Sequence, residues 1–167
     1  EVNSIGDISV SEDGAGAIVA LGNDVTVNST GALTTSGDLS SGIIAMRDYG
    51  VDPNTGDVSF DDAAQSVSVT SEGNITTAGD GSLGIAAGAG AGTATVTSVG
   101  DITTVGEFGV GIGAAGQAVT IVSDGSITTS GAYGHGIIVA GDFAMVGEDP
   151  EAMAPVAGDI TISAGDV

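Results

Sequence analysis

The chain has no cysteine, no lysine and no tryptophan, and its 167 residues include one arginine, Arg47, and one histidine, His135. The absence of cysteine removes disulfides, thiolate metal centres and cysteine nucleophiles from consideration. One histidine assembles neither a zinc set nor a recognisable triad, and His135, in Tyr133-Gly134-His135-Gly136, reads as an exposed corner residue. Against that single arginine stand 22 acidic residues, for a formal charge of −21. Such a surface repels phosphate backbones and anionic headgroups, which excludes nucleic-acid binding and electrostatic docking to membranes. It also lacks the cationic groups with which a polysaccharide lyase holds and deprotonates uronates. No apolar run approaches the roughly 18 residues that span a bilayer, so a membrane is expected only through a barrel or anchor outside this segment. Aromatic residues make up 3% of the chain, which leaves small and β-branched side chains to fill any core.

What the chain has instead is glycine, 30 residues of it, placed at regular intervals. Gly6 and Gly31 are 25 residues apart, as are Gly100 and Gly125, and each opens a closely similar phrase. Self-similarity at this period marks stacked repeats, each of which buries its apolar face only against its neighbours.

Three sets of apolar anchors recur. The first is Ile8, Leu33, Ile75, Ile102 and Ile127, and the second is Ile18, Ile43, Ile85, Ile112 and Ile137, ten residues later in every unit. The third is Val25, Val67, Ala94, Val119 and Ile160, and a regular unit divides into steps of ten, seven and eight residues. Around each anchor the pattern alternates with period two, the mark of a strand with one face inward, and Gly-Asp, Ser-Gly and Asp-Gly pairs supply sharp corners. The expected fold is all-β: a right-handed parallel β-helix, or β-solenoid, of about six coils of ~25 residues with three short strands each. Residues 1–167 read as one solenoid segment of a longer array. All extra length leaves at the corner after the second strand, in insertions 47–65 and 141–157.

Columns of equivalent residues run along such a rod. The inward column Val10, Thr35, Thr77, Thr104 and Thr129 is expected to hydrogen-bond neighbouring rungs or backbone. The outward column of the second strand is apolar, with Val19, Ile44 and Ile138 flanked by Met46, so this face is expected to be covered. The insertions carry Phe60, Phe143 and Met145 and are expected to fold back over it, the alternative being a partner. These seven residues form the candidate interface.

Hard oxygen ligands in the insertions make Ca²⁺ the one cofactor to consider. The candidate ligands are Asp52, Asn54, Asp57, Asp61 and Asp62 in the first insertion and Glu148, Asp149 and Glu151 in the second. The stretch from Asp52 to Asp57 resembles an EF-hand loop only loosely, with no closing Glu, and a solvated acidic loop accounts for it as well. Acidic corners at Asp13, Asp38, Asp80 and Glu107 recur as a ladder, which fits turn chemistry better than a paired-carboxylate glycosidase site. No catalytic residue is expected.

The phrases Gly73-Asn74-Ile75-Thr76-Thr77-Ala78-Gly79 and Gly100-Asp101-Ile102-Thr103-Thr104-Val105-Gly106 lead into Gly84-Ile85 and Gly111-Ile112. Val119-Thr120-Ile121 follows, then Ser123 and Gly125. This pattern resembles the passenger repeats of bacterial autotransporters and related large surface β-helix proteins, over nearly the whole chain outside the insertions. The resemblance implies an extracellular or outer-membrane-surface location, an export signal upstream and a membrane barrel downstream. Such passengers include adhesins, biofilm scaffolds and carriers of grafted enzymes, with no fixed catalytic residues in their repeats. The expected role is a non-catalytic display rod holding loops for adhesion or assembly, with a protein or glycan partner or self-association. Two alternatives stand beside it: a carbohydrate-active β-helix domain, and a self-assembling surface-layer or filament subunit.

Overall fold

In the computed structural model, residues 1–47, 50–51, 58–59, 65–141, 143–145, 153–155 and 159–164 are described. They form a right-handed parallel β-helix with three faces, and every face stacks its strands in chain order. The first face comprises Ile8–Val10, Leu33–Thr35, Ile75–Thr77, Ile102–Thr104 and Ile127–Thr129. The second comprises Gly16–Gly22, Ser41–Arg47, Leu83–Gly88, Val110–Ala115 and His135–Ala140. The third has six strands, Val2–Ile5, Asp24–Thr30, Ser66–Glu72, Thr93–Val99, Ala118–Asp124 and Ile160–Ala164. These bound five turns of the helix, which at ~4.8 Å per rung make a rod roughly 24 Å long.

Register follows the anchors on all three faces. Ile8 pairs with Leu33 and Ile75 with Ile102; Ile18 pairs with Ile43 and Ile85 with Ile112; Val25 pairs with Val67 and Ala94 with Val119. The start of the chain joins the third face, where Val2 pairs with Val27. A slip of one residue would turn every anchor outward, so burial of one side of each strand holds the register. Inside the coil Leu33, Ile43, Ile75, Ile85, Ile102 and Ile112 are completely buried. Each such side chain contributes about 1.5–3 kcal/mol relative to exposure. The backbone ladder continues through the corner before the first face, where Gly31, Gly73 and Gly100 donate to the carbonyls of Glu72, Val99 and Asp124 at 2.9, 2.8 and 3.1 Å.

The glycines serve two purposes, one of which the period alone does not disclose. Gly73, with φ of 127°, has the left-handed corner conformation expected of these residues. Gly37, Gly79, Gly106 and Gly131, at the next corner, do not; each is glycine because a Cβ would collide with the backbone of the preceding rung.

The inward threonines differ from expectation. Thr35, Thr77 and Thr104 are fully buried and their hydroxyls have no hydrogen-bond partner, and the same holds for the hydroxyls of Ser29, Ser71, Ser98 and Ser123 on the third face. Equivalent atoms lie a rung apart, ~4.8 Å, beyond hydrogen-bond reach. Longer side chains do bridge rungs: Asn28 Nδ2 donates to Asn3 Oδ1 at 2.9 Å. At a corner even serine bridges, for Ser40 Oγ donates to the Glu12 carbonyl at 2.7 Å.

Candidate interaction surface

The second face carries its apolar residues outward as the sequence indicates. Val19, Leu21, Met46 and Ile138 are 52, 53, 41 and 40% exposed. Between the last two the side chains shrink, because the middle rungs place Ala86, Gly88, Gly113 and Ala115 where the outer rungs have Ile44, Met46, Ile138 and Ala140. The result is an open apolar groove of about 240 Å³ walled by Met46, Leu83 and Ile138. Of the candidate interface residues, Val19, Ile44, Met46 and Ile138 thus share one face.

Both insertions leave from this face at its far corner, and each contains an antiparallel two-stranded ribbon. Gly50–Val51 pairs with Val58–Ser59, and Phe143–Met145 pairs with Met153–Pro155. Phe143 and Met145 therefore lie on a ribbon strand, while Phe60 lies outside the described residues. So do all the candidate Ca²⁺ ligands, Asp52, Asn54, Asp57, Asp61, Asp62, Glu148, Asp149 and Glu151. At the foot of the first insertion Arg47 lays its guanidinium over Gly90 in the following rung, where a Cβ would strike it. Among the described residues no three histidine or acidic side chains converge as a metal set.

The acidic corners form rung-to-rung bridges. Asp13 Oδ1 accepts the Asp38 N–H at 2.9 Å, Asp38 Oδ1 the Asp80 N–H at 3.0 Å, and Asp80 Oδ1 the Glu107 N–H at 2.8 Å. At the corner before the first face Asp7, Asn74 and Asp101 do the same for Ala32, Asp101 and Ser126. These aspartates and Asn74 satisfy orphan amides of the turns, which is the structural role their periodicity indicates.

Two of the aspartates have lowered pKa values. Asp24 is held below the ordinary aspartate range first by the Ser66 hydroxyl, which donates at 2.8 Å, and then by the Ser66 N–H at 3.1 Å. Asp101 is lowered by the Ser126 N–H and then by its hydroxyl, at 2.9 and 2.8 Å. A carboxylate whose folded pKa is depressed adds stability above its unfolded pKa, and this is lost as pH falls through the folded value. Replacing Ser66 by alanine is therefore expected to raise the Asp24 titration midpoint towards the ordinary range and to leave Asp101 unchanged, which carboxyl-carbon NMR can follow for both residues at once.

At the corner between the first and second faces each of the five rungs has a left-handed residue, which follows an acidic residue in four rungs and Ala132 in the fifth: Gly14 (φ 68°), Leu39 (55°), Gly81 (66°), Phe108 (56°) and Tyr133 (57°). For a residue with a Cβ this conformation costs about 1–2 kcal/mol relative to a right-handed one. Leu39, Phe108 and Tyr133 are 68, 58 and 72% exposed, so burial does not offset that cost. The two rings stack with centroids 5.1 Å apart and planes inclined by 12°. The Leu39 side chain leans over Gly81, whose Cβ would meet Leu39 Cδ2 at 2.7 Å. An apolar ridge thus runs along four rungs beside Asp38, Asp80 and Glu107. The repeat carries the signal in one column, which is glycine in two rungs and leucine, phenylalanine or tyrosine in the other three. His135, two residues beyond Tyr133, is exposed at the start of its strand.

Compared with protein-family models, curated proteins and solved structures, the chain matches none.

Proposed function

We propose that this chain is a non-catalytic structural rod of a secreted or cell-surface bacterial protein, and that its work is to hold two loops at a fixed corner for adhesion or assembly. The observation that carries this reading is the contrast between uniformity and insertion. Five turns keep one register on three faces, while the added chain leaves after Ser41–Arg47 and after His135–Ala140, two strands of the same face. A stacked array of this kind tolerates insertion at one corner because each rung contacts only its neighbours. Insertions gathered on one side are the usual means by which a solenoid builds a binding surface. The resemblance of the repeats to autotransporter passengers agrees with a surface location.

The test is to replace each insertion by the two-residue corner Gly116-Gln117 of a regular rung. The shortened rod is expected to keep its far-UV β spectrum, with a thermal midpoint within a few degrees of the parent, since the three faces are untouched. Beads coated with it are expected to lose adhesion to bacterial and host cell layers that beads coated with the parent retain. Adhesion that survives both replacements overturns the display role. Release of reducing sugar by the intact protein from a panel of polysaccharides replaces it with the carbohydrate-active reading.

A further inference from the structure

We propose that the ridge formed by Leu39, Phe108 and Tyr133 is a docking surface for an arginine-bearing segment of a partner protein. The inference goes beyond the display role and does not rest on it, because the ridge lies at the corner between the first and second faces and the insertions leave from another corner.

Gly14 and Gly81 make the same left-handed turn in two of the five rungs, so the corner forms without any side chain at this position. Leu39, Phe108 and Tyr133 nevertheless occupy it in a conformation that disfavours them, and they point into solvent rather than into the core. Backbone strain at exposed, stacked rings marks a surface used for recognition.

Charge decides the occupant. The exposed faces of the two rings are electron-rich, and the column beside them is acidic, so both features attract a cation. Asp38 and Asp80 each spend Oδ1 on the next rung, and among the described residues Oδ2 accepts nothing. The chain's single arginine, Arg47, packs over Gly90 at a different corner and does not supply a guanidinium there. A second copy brings the same net charge of −21 and is repelled. Arginine fits better than lysine: its planar guanidinium stacks on an aromatic face while its edge meets a carboxylate, whereas an ammonium acts as a point charge. A run of such side chains could follow the ridge over three rung intervals, roughly 14 Å.

The experiment compares labelled nona-arginine with nona-lysine by fluorescence anisotropy at about 0.15 M salt, where long-range attraction is screened. Nona-arginine is expected to bind the intact protein about fivefold more tightly than nona-lysine, the order that ring–cation attraction at exposed sites supports. The preference is expected to disappear in the Phe108→Gly/Tyr133→Gly pair, in which glycine takes the backbone conformation it favours. It should also disappear in the Phe108→Leu/Tyr133→Leu pair, for which Leu39 shows that leucine fits the turn. Nona-lysine binding is expected to change less than twofold in both, with far-UV spectra reporting retention of the fold. On the unaltered protein, the ring-proton resonances of Phe108 and Tyr133 are expected to shift with nona-arginine more than with nona-lysine. Equal affinity of the two peptides, unmoved ring resonances, or an arginine preference that survives loss of the rings overturns the proposal. Displacement of nona-arginine by neutral cellohexaose also overturns it and assigns the ridge to a glycan.

Discussion

Replacing Gly79 by alanine is expected to destabilise the rod by about 3 kcal/mol and to lower its thermal midpoint by roughly 6–12 °C. The added methyl group is small, and the effect comes from what surrounds it. A Cβ at Gly79 would run into the carbonyl group of Gly37 in the preceding rung, while a Cβ at Gly106 would meet the carbonyl of Gly79 in the same way. These neighbours are backbone atoms, so no rotamer change makes room. The Gly37 carbonyl is further tied down by the Ser82 hydroxyl, which donates to it at 3.3 Å. Accommodating the methyl group requires the two rungs to move apart, and that stretches the sheet hydrogen bonds on either side of the corner. Gly88→Ala is the control, since its Cβ would meet only Met46 Cγ, at 3.7 Å, and the change is expected to stay within about 0.5 kcal/mol. Urea unfolding followed by far-UV circular dichroism compares the two. A Gly79 variant as stable as the Gly88 variant would show that the corners are not in contact along the rod.

The same comparison shows how much of this protein can be read from its residues. Register was legible because a single quantity, the 25-residue step, recurs in three independent anchor sets, and an error in any of them would turn isoleucines into solvent. Ile85 therefore falls between Ile43 and Ile112 although an insertion precedes it. The role of Gly79 was not legible, since a positive φ and a close approach both select glycine and the letter is the same. The ridge at Phe108 and Tyr133 is legible only as a column of the repeat, since the inward anchors carry no information about this outward corner. The apolar outer face of the second strand was visible as Val19, Ile44 and Ile138. The groove in it depended on the absence of side chains at Gly88 and Gly113, which hydrophobic patterning does not register. Alternation places the inward threonines on the correct side of the strand but does not disclose that the hydroxyls of Thr35, Thr77 and Thr104 are unpaired. Alternation fixes which way a side chain points, whereas the distance between rungs fixes whether its hydroxyl has anything to bond.

That distinction leads to an expected gain in stability. The triple substitution Thr35→Val, Thr77→Val and Thr104→Val is expected to stabilise the rod by about 3 kcal/mol, about 1 kcal/mol at each position. Each hydroxyl is completely buried and lacks a partner, and a buried polar group left unsatisfied costs about 1–3 kcal/mol. Valine keeps the β-branch that suits a strand and puts a methyl group in the same volume, so no cavity and no new rotamer is introduced. The pairs Thr35–Thr77 and Thr77–Thr104 are neighbours in the ladder, so their effects need not add, and the single variants have to be measured alongside the triple. The sign separates two accounts of the column. If the hydroxyls bonded neighbouring rungs or backbone, each valine would remove a hydrogen bond, strand its partner and lower the urea midpoint. If they are unpaired, each valine raises it. Thr34, Thr76 and Thr103, one residue earlier and on the outer side of the same strands, provide the internal reference. Valine there trades a solvated hydroxyl for an exposed methyl group and is expected to change stability by less than about 0.5 kcal/mol. A rise confined to the inward column would identify the rung spacing of ~4.8 Å, rather than strand propensity, as the cause, because propensity acts on both columns alike.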